Sequence, residues 1–330
     1  MEYRKLGETS LKITPIAFGA WAAGGWMWGG TDQQEAVAAI RRSVELSVTT
    51  IDTAPVYGFG LSEQIVGEAI RGMRDRVEIL TKFGMRWDTT RGQFAFDSQD
   101  AQGKPAKIYK YAGRDSVVRE CEESLRRLGT DYIDLLQIHW PDPTTPVDET
   151  FEAVSRLLDA GKIRAAGVSN YNAEQLEAAR RVMPIASNQV PYSMVKREIE
   201  ADVVPYCLAH NVGILAYSPL QRGLLTGKMQ PGHAFSPGDH RAGLPYFKDE
   251  NLRRTAGFLD RIKPLADEKG CTLSQLVIAW TIRQPGITCA LVGARNPKQA
   301  EENAAAAHVE LGREEIETIT AQLGRLELVP

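Results

Sequence analysis

The feature that most limits what this chain can fold into is a rhythm. A short, nearly continuous apolar run leads into a helix-spaced segment, and the unit recurs eight times, at PIAFG, TTID, VEILTKF, YIDLLQIHW, IRAAGVSN, IASNQ, GILAYS and TCALVG. Runs this brief and this uniformly apolar have the pattern of parallel strands covered on both faces. The segments between them, such as DQQEAVAAIRRSVEL with Asp32 placed to cap it, carry the spacing of amphipathic helices. Eight units in roughly 300 residues predict a closed (β/α)8 or TIM barrel, one domain over residues 1–330. A doubly wound sheet would instead carry GxGxxG after an early strand, and GFGLSE, downstream of Asp52, lacks the third glycine. Ahead of the first unit, YRKLGETSLKI reads as a hairpin around Gly7, and extra helices are expected between about 250 and 284 and near the C-terminal end.

At 43% hydrophobic residues the chain can bury a sizeable core. Its net charge of -3, with no long run of one sign, speaks against a nucleic-acid footprint or a membrane surface and for a small-molecule partner. Cys121, Cys207, Cys271 and Cys289 show no CxxC spacing, which fits a reducing, cytoplasmic setting. The uncharged stretch Ile13 to Gly30 is broken by Pro15 and a series of glycines, so it reads as a strand and a glycine-rich loop rather than a membrane span. Oligomeric state has no signal in the sequence.

On a barrel, chemistry gathers at the C-terminal ends of the strands. Asp52 and Tyr57 follow the second run, Lys82 closes the third and His139 the fourth, so neighbouring strands would set all four around one mouth. A free phenol titrates near ~10, and an ammonium beside it would lower that value; a drop of ~2–3 units requires about 3–4 kcal/mol. Asp52 would keep Lys82 charged, and His139 would donate to a carbonyl oxygen or relay a proton. The set suits protonating an oxygen while another agent delivers hydride. Taken singly, each residue also fits a structural part: Asp52 as a turn former, Asp52 with Lys82 as a packing pair, His139 as a neighbour of Trp140. Lys82 as the Schiff base of a barrel aldolase or isomerase is a further reading.

The histidines, at 139, 210, 233, 240 and 308, form no HxH or HExxH, so no metal site is expected and an organic cofactor must carry the electrons. After the last run, VGAR leads into Asn296–Pro297, a capped helix start of the kind that binds anions, and Arg295 could grip a phosphate there. GLLTGKM is one residue short of a P-loop and has no Ser or Thr after Lys228, which removes a nucleotide-hydrolysing reading. Two connections, 85–113 and 219 to about 249, are long enough to be binding loops or lids, and both leave strand C-terminal ends.

Over nearly its whole length the sequence resembles the aldo-keto reductase superfamily, in IDTAPVYG with SEQIVGEAI, LTK, IDLLQIHWPD, GKIRAAGVSN, NQVPYS, AYSPLQRGLLTGK and VGARNPKQAEEN. The resemblance implies that Asp52, Tyr57, Lys82 and His139 form a catalytic tetrad with Tyr57 as general acid and base. It implies an NADPH-dependent reductase of aldehydes or ketones, reversible with NADP+. A nicotinamide would stack on Tyr217 beside Trp21, with its carboxamide held by Ser169, Asn170 and Gln189; Gly19, Ala20 and Gly293 would be further cofactor contacts. Ser218, Pro219, Leu220, Gly223 and Lys228 would cover the pyrophosphate. Arg295 would meet the 2′-phosphate of an NADP-type cofactor, with Gln299, Glu302 and Asn303 along the adenosine. A cofactor-sensing regulatory subunit is the alternative that the same resemblance leaves open.

Trp21, Trp26 and Trp28 in the first connection, Trp140 after His139, and Met85, Trp87 and Tyr111 at the ends of the third would wall a pocket. Such walls suit a compact carbonyl compound, a sugar aldehyde or a larger alicyclic ketone. The sequence runs only briefly past its last amphipathic segment, to LGRLELVP, so the third connection is expected to choose the substrate.

Overall fold

The computed structural model describes residues 1–100, 103–236 and 238–329. An antiparallel hairpin of β1 (Arg4–Lys5) and β2 (Lys12–Ile13) precedes the barrel strands β3 (Ile16–Gly19), β4 (Thr50–Asp52) and β5 (Glu78–Phe83). A small insertion of β6 (Met85–Arg86), β7 (Gln93–Gln99) and β8 (Pro105–Lys110) comes next. The barrel then continues through β9 (Leu135–Ile138), β10 (Ala166–Ser169), β11 (Ser187–Pro191), β12 (Gly213–Tyr217) and β13 (Ile287–Gly293). All eight barrel strands are parallel, and β13 pairs with β3 to close the ring. The helices are α1 (Gln33–Glu45), α2 (Leu61–Ala69), α3 (Arg114–Leu128), α4 (Val147–Asp159), α5 (Ala173–Val182), α6 (Val203–Ala209), α7 (Asp249–Glu268), α8 (Leu273–Thr281), α9 (Pro297–Ala305) and α10 (Arg313–Leu323). Of these α7 and α10 are additional to the eight-fold repeat and pack against each other. Among the described residues, no helix is long and apolar enough to cross a membrane.

Residues two apart on a strand share a face, and this explains where polarity enters the barrel. Ala17, Leu80, Leu135, Leu215 and Leu291 form one apolar cluster with Leu6 and Ile13 of the hairpin, which plugs the barrel floor. Two positions further along the same faces stand Gly19, Lys82, Gln137, Tyr217 and Gly293. A single step of the pleat therefore turns an apolar floor into a polar mouth.

The connection 85–113, expected as a long loop, contains an antiparallel sheet in the order β6-β8-β7. Its signal was the paired runs QFAFDSQ and PAKIYK, blurred by an extra residue at Ala95, where the register shifts between Phe94 and Phe96. The connection after β12 is irregular, with 3-10 turns at Gln221–Thr226, His240–Gly243 and Pro245–Phe247 before α7 begins.

The floor of the barrel is tied by Asp134, which precedes β9 and is wholly buried. Its carboxylate accepts from Arg74 Nη2 at 2.6 Å, Arg164 Nη1 at 2.9 Å and the Ile79 amide at 2.9 Å. The Tyr132 ring lies between the two guanidinium groups, at 3.8 and 3.9 Å. Residues at this end of a barrel serve stability rather than chemistry. Asp134→Ala strands the buried Ile79 N–H and should cost about 2–4 kcal/mol in urea unfolding while leaving ligand affinity at the mouth within twofold. A loss below 0.5 kcal/mol (roughly the scatter of surface substitutions) would remove Asp134 from this role.

Candidate active site

Lys82 has no solvent contact. Its Nζ donates to Asp52 Oδ1 at 2.7 Å and to the Thr53 carbonyl at 2.9 Å, while Asp52 Oδ2 accepts from Gln189 Nε2 at 2.8 Å. The chain leaves β4 through a tight turn, with the Gly60 amide on the Pro55 carbonyl at 2.7 Å, and this turn carries the half-buried Tyr57 back over the pair. Lys82 Nζ lies 5.0 Å from the Tyr57 ring centroid, and the His139 ring meets Tyr57 edge-on at 5.6 Å. The four residues expected at one mouth are thus together. Enclosed and held by Asp52 and Thr53, Nζ offers no approach to a carbonyl carbon, which counts against a Schiff base.

Burial dominates the electrostatics here. It pushes the Tyr57 phenol well above its ordinary 10.0, and the negative charge of Asp52 acts in the same direction. It lowers Lys82 against the opposing attraction of Asp52. Burial, then the charge of Lys82, drives His139 well below its ordinary 6.5. The expected depression of Tyr57 by Lys82 is not found. Asp52 matches the lysine charge at contact distance, so the phenol faces a nearly neutral pair and the lost hydration of a phenolate outweighs what attraction remains. Near neutral pH the site therefore presents a protonated phenol and a neutral imidazole.

Residues expected to hold a cofactor lie along the same rim. Gly19 and Gly293 are register partners at adjoining strand ends, and the Ala20 amide donates to the Asp52 carbonyl at 2.8 Å. Asn170, with φ 61°, gives its amide to the His139 carbonyl and to Ser169 Oγ, both at 3.0 Å, and accepts from the Tyr217 hydroxyl at 3.0 Å. Ser169 Oγ in turn donates to the Gln189 carbonyl at 2.8 Å. The Gln189 amide N–H is committed to Asp52 and lies inside the barrel, so this residue steadies the tetrad. After Tyr217 the chain turns through Ser218 at φ 57°, Pro219 and Leu220 to Gly223 at φ 97°. Lys228 is exposed and reaches Glu302 at 3.3 Å.

At the last strand, Asn296 caps α9 by accepting from the Gln299 amide at 3.0 Å, and Asn303 Nδ2 donates to the Gly293 carbonyl at 3.0 Å. Arg295 donates one guanidinium N–H to the Gly30 carbonyl at 2.7 Å, its backbone N–H goes to Gln299 Oε1 at 2.8 Å, and among the described residues no carboxylate pairs with it. An unneutralised guanidinium beside a helix N-terminus, with the flat Tyr217 ring along the rim, fits a cofactor that is anionic at one end and planar at the other.

On the substrate side, Trp26, Trp87 and Trp140 join Tyr57, Phe59 and Phe96 in one apolar cluster over buried Met85. Trp26 stacks on Phe96 at 6.2 Å and donates from Nε1 to Ser98 Oγ at 2.9 Å, while Phe59 meets Trp26 at 6.1 Å and Trp87 at 5.3 Å. The β6-β8-β7 sheet accordingly leans onto the first connection. Tyr111 stays outside this cluster, with Arg91 4.6 Å from its ring centroid. Phe59 and Phe96 of this cluster, and His240, whose ring lies 5.2 Å from that of Trp21, border the mouth and were missed by sequence reasoning. Phe59 stands two places past Tyr57 and was open to discovery, whereas His240 sits in an irregular connection and reaches Met27 only through the tertiary fold.

Comparison with known proteins matches residues 15–323 to the Aldo/keto reductase family. Aldo-keto reductase YhdN of Bacillus subtilis is 41% identical over 304 residues, covering 91% of this chain and 87% of that protein. The NADH-specific methylglyoxal reductase of Escherichia coli is 34% identical over 312 residues, covering 93% of each. The solved glycerol dehydrogenase AKR11B4 from Gluconobacter oxydans superposes with TM-score 0.89 at 36% identity, covering 99% of this chain and 97% of that one. An aldo-keto reductase from Klebsiella pneumoniae, solved with NADPH, superposes with TM-score 0.72 at 32% identity, covering 99% and 95%.

The backbone that seats Tyr57 depends on its neighbour. Gly58 has φ +68°, and a Cβ there would stand 2.7 Å from the Gly24 carbonyl oxygen of the first connection. Gly58→Ala should lower stability by about 1–3 kcal/mol and reduce turnover at least tenfold by displacing the phenol. Unchanged melting and turnover would show that this contact does not seat Tyr57.

Proposed function

The chain belongs to the aldo/keto reductase family, and on that premise we propose that it reduces an aldehyde or ketone to the alcohol with NADPH, reversibly, using Tyr57 as the general acid. The observation that carries this reading is the buried Lys82–Asp52 pair beneath a phenol kept protonated by its surroundings. Tyr217, Ser169 and Asn170 would hold the nicotinamide, the turn from Ser218 to Gly223 the pyrophosphate, and Arg295 with Gln299 and Asn303 the phosphate-bearing adenosine end. The cofactor, when bound, supplies the hydride. Tyr57 passes its phenolic proton to the carbonyl oxygen, and neutral His139 donates a hydrogen bond to that oxygen. As the proton leaves, charge develops on a phenol whose ring centroid lies 5.0 Å from the lysine ammonium, which Asp52 and Gln189 hold in place. Preference for NADPH rests on Arg295, the one guanidinium at the last strand end with no carboxylate partner among the described residues.

Tyr57→Phe should lower NADPH-driven carbonyl reduction by about 10²–10⁴-fold while NADPH still changes the protein fluorescence. A variant that retains most of the activity would take Tyr57 out of the mechanism. Arg295→Ala should weaken NADPH about tenfold more than NADH, a difference of roughly 1.4 kcal/mol in titrations of the two cofactors. Equal losses would remove the 2′-phosphate from Arg295.

A further inference from the structure

The aromatic wall of the mouth is fixed from behind. Met85 and Trp87 join the cluster around Tyr57. Neighbouring residues of an extended segment point to opposite sides, so Arg86 between them turns away from the mouth, toward α3. There it meets Glu120, and both side chains are buried. Glu120 Oε2 accepts from the Gly84 amide at 3.0 Å, and Oε1 meets Ser116 Oγ at 3.1 Å. Gly84, at φ +89°, is the turn where the chain leaves β5 for the insertion, and its carbonyl accepts from the Tyr111 amide at 3.1 Å as the chain returns. Both legs of the stem that carries the β6-β8-β7 sheet therefore meet at one glycine, which Glu120 holds.

The partners of Glu120 suit an acid better than a carboxylate. Arg86 Nη1 lies 3.4 Å from Glu120 Oε1 and, among the described residues, has no hydrogen-bond partner, while Nε and Nη2 go to Asp88 at 2.9 and 2.6 Å. A buried ion pair without directed hydrogen bonds does not offset the lost hydration of the carboxylate. The neutral acid avoids that cost, since its carbonyl oxygen accepts from Gly84 and its hydroxyl donates to Ser116. In keeping with this, burial pushes the Glu120 carboxyl from its ordinary 4.5 up to about 7, against the pull of Arg86, the Gly84 amide and Ser116. The surrounding charges are engaged elsewhere. Asp88 also pairs with Arg119, and Glu123 with Arg119 and Arg127, while Glu63 of α2 is held by Arg127 and Glu152 of α4 by Arg114. Lys82 of β5 points into the barrel to Asp52, and Asp142 holds the Ala112 amide at 2.9 Å. Cys121, next on α3, is pushed up by burial to about 11 and stays neutral.

We infer that Glu120 is a positioning residue that makes the substrate wall respond to pH: as an acid it locks the Gly84 stem, and as a carboxylate it lets the stem open. The inference rests on the reductase reading above only for its kinetic readout. A carboxyl raised in the closed stem favours closure fully below its exposed value, and that advantage is lost as pH rises through the closed value. The window therefore runs from about 4.5 to about 7, with opening rising about tenfold per unit inside it and levelling off above. The acid groups of the mouth are held separately, because Lys82 pairs in register with Gln137 and the His139 amide donates to the Phe83 carbonyl at 2.9 Å. An opening stem accordingly weakens substrate binding and leaves the proton transfer unchanged.

The test follows hydrogen exchange of segments 84–87 and 108–112 from pH 5 to 8, divided by the intrinsic rate at each pH, in the intact protein, Glu120→Gln and Arg86→Met. In the intact protein, opening should rise about tenfold per unit up to about pH 7 and then level off, while β4 and β9 stay unchanged. Glu120→Gln, whose amide keeps both hydrogen bonds of the acid and cannot ionise, should stay protected throughout. Arg86→Met removes the cation that lowers Glu120, so levelling should come at a higher pH; if that variant does not fold, the comparison of the intact protein with Glu120→Gln decides alone. At saturating NADPH, KM for methylglyoxal should rise about threefold or more from pH 5.5 to 7.5 with kcat changing less than about twofold, and Glu120→Gln should show no such rise. Stem exchange that is flat with pH, or a pH dependence that Glu120→Gln shares, overturns the inference and leaves the reductase reading in place. A stem that responds as described, in a protein that shows no NADPH-driven reduction of methylglyoxal or 2-butanone, supports the role of Glu120 and counts against the reductase reading.

Discussion

An ammonium group with no access to water is the constraint on which the mouth of this barrel depends. Removing a lysine charge from solvent costs several kcal/mol unless a partner meets it closely. Lys82 is met by Asp52 at 2.7 Å, and Asp52 is held from behind by Gln189, so side chains from β4, β5 and β11 are committed to one charge pair. Strand closure makes this possible. The parallel register places Asp52 one strand away from Lys82 and brings β11 round the ring, while the apolar floor directly below excludes water. With the pair neutral as a unit, Tyr57 and His139 above it titrate mainly by burial. The result is a mouth that presents a protonated phenol, and in the proposed mechanism alcohol oxidation, which needs the phenolate, would rise as pH rises.

The first connection is where the rest of the mouth meets. Trp26 takes the insertion after β5, Trp28 takes the connection after β12, and the Gly30 carbonyl takes Arg295 from the last strand. Its glycines allow the turns, with Gly25, Gly29 and Gly30 all at positive φ, and its tryptophans supply the faces. The proposed substrate walls, acid and cofactor groove are therefore joined through this one segment.

Much of this was legible in the sequence. Eight apolar runs with helical segments between them predict a barrel because only a parallel sheet covered on both faces needs such strands, and the ring closes as expected. The tetrad was legible because its members fall at successive strand ends, where the barrel fixes their mutual position. What escaped was what depends on environment or on distant loops. The direction of the Tyr57 shift turns on water excluded by surroundings that no local motif describes. The commitment of Gln189 to Asp52 joins residues far apart in the chain. His240 lies in an irregular segment whose seat against Met27, Trp21 and Trp28 comes only from folding.

The central claim is that the surroundings of Lys82 and Asp52 keep Tyr57 protonated in the free protein. It is tested most directly by an ultraviolet difference titration of tyrosinate, comparing the intact protein with Tyr57→Phe between neutral pH and the onset of alkaline unfolding. The account predicts superimposable curves up to about pH 10, because Tyr57 contributes no phenolate in that range. One extra tyrosinate in the intact protein, absent from the variant and appearing below about pH 8.5, would show that Lys82 governs the phenol and would contradict the account.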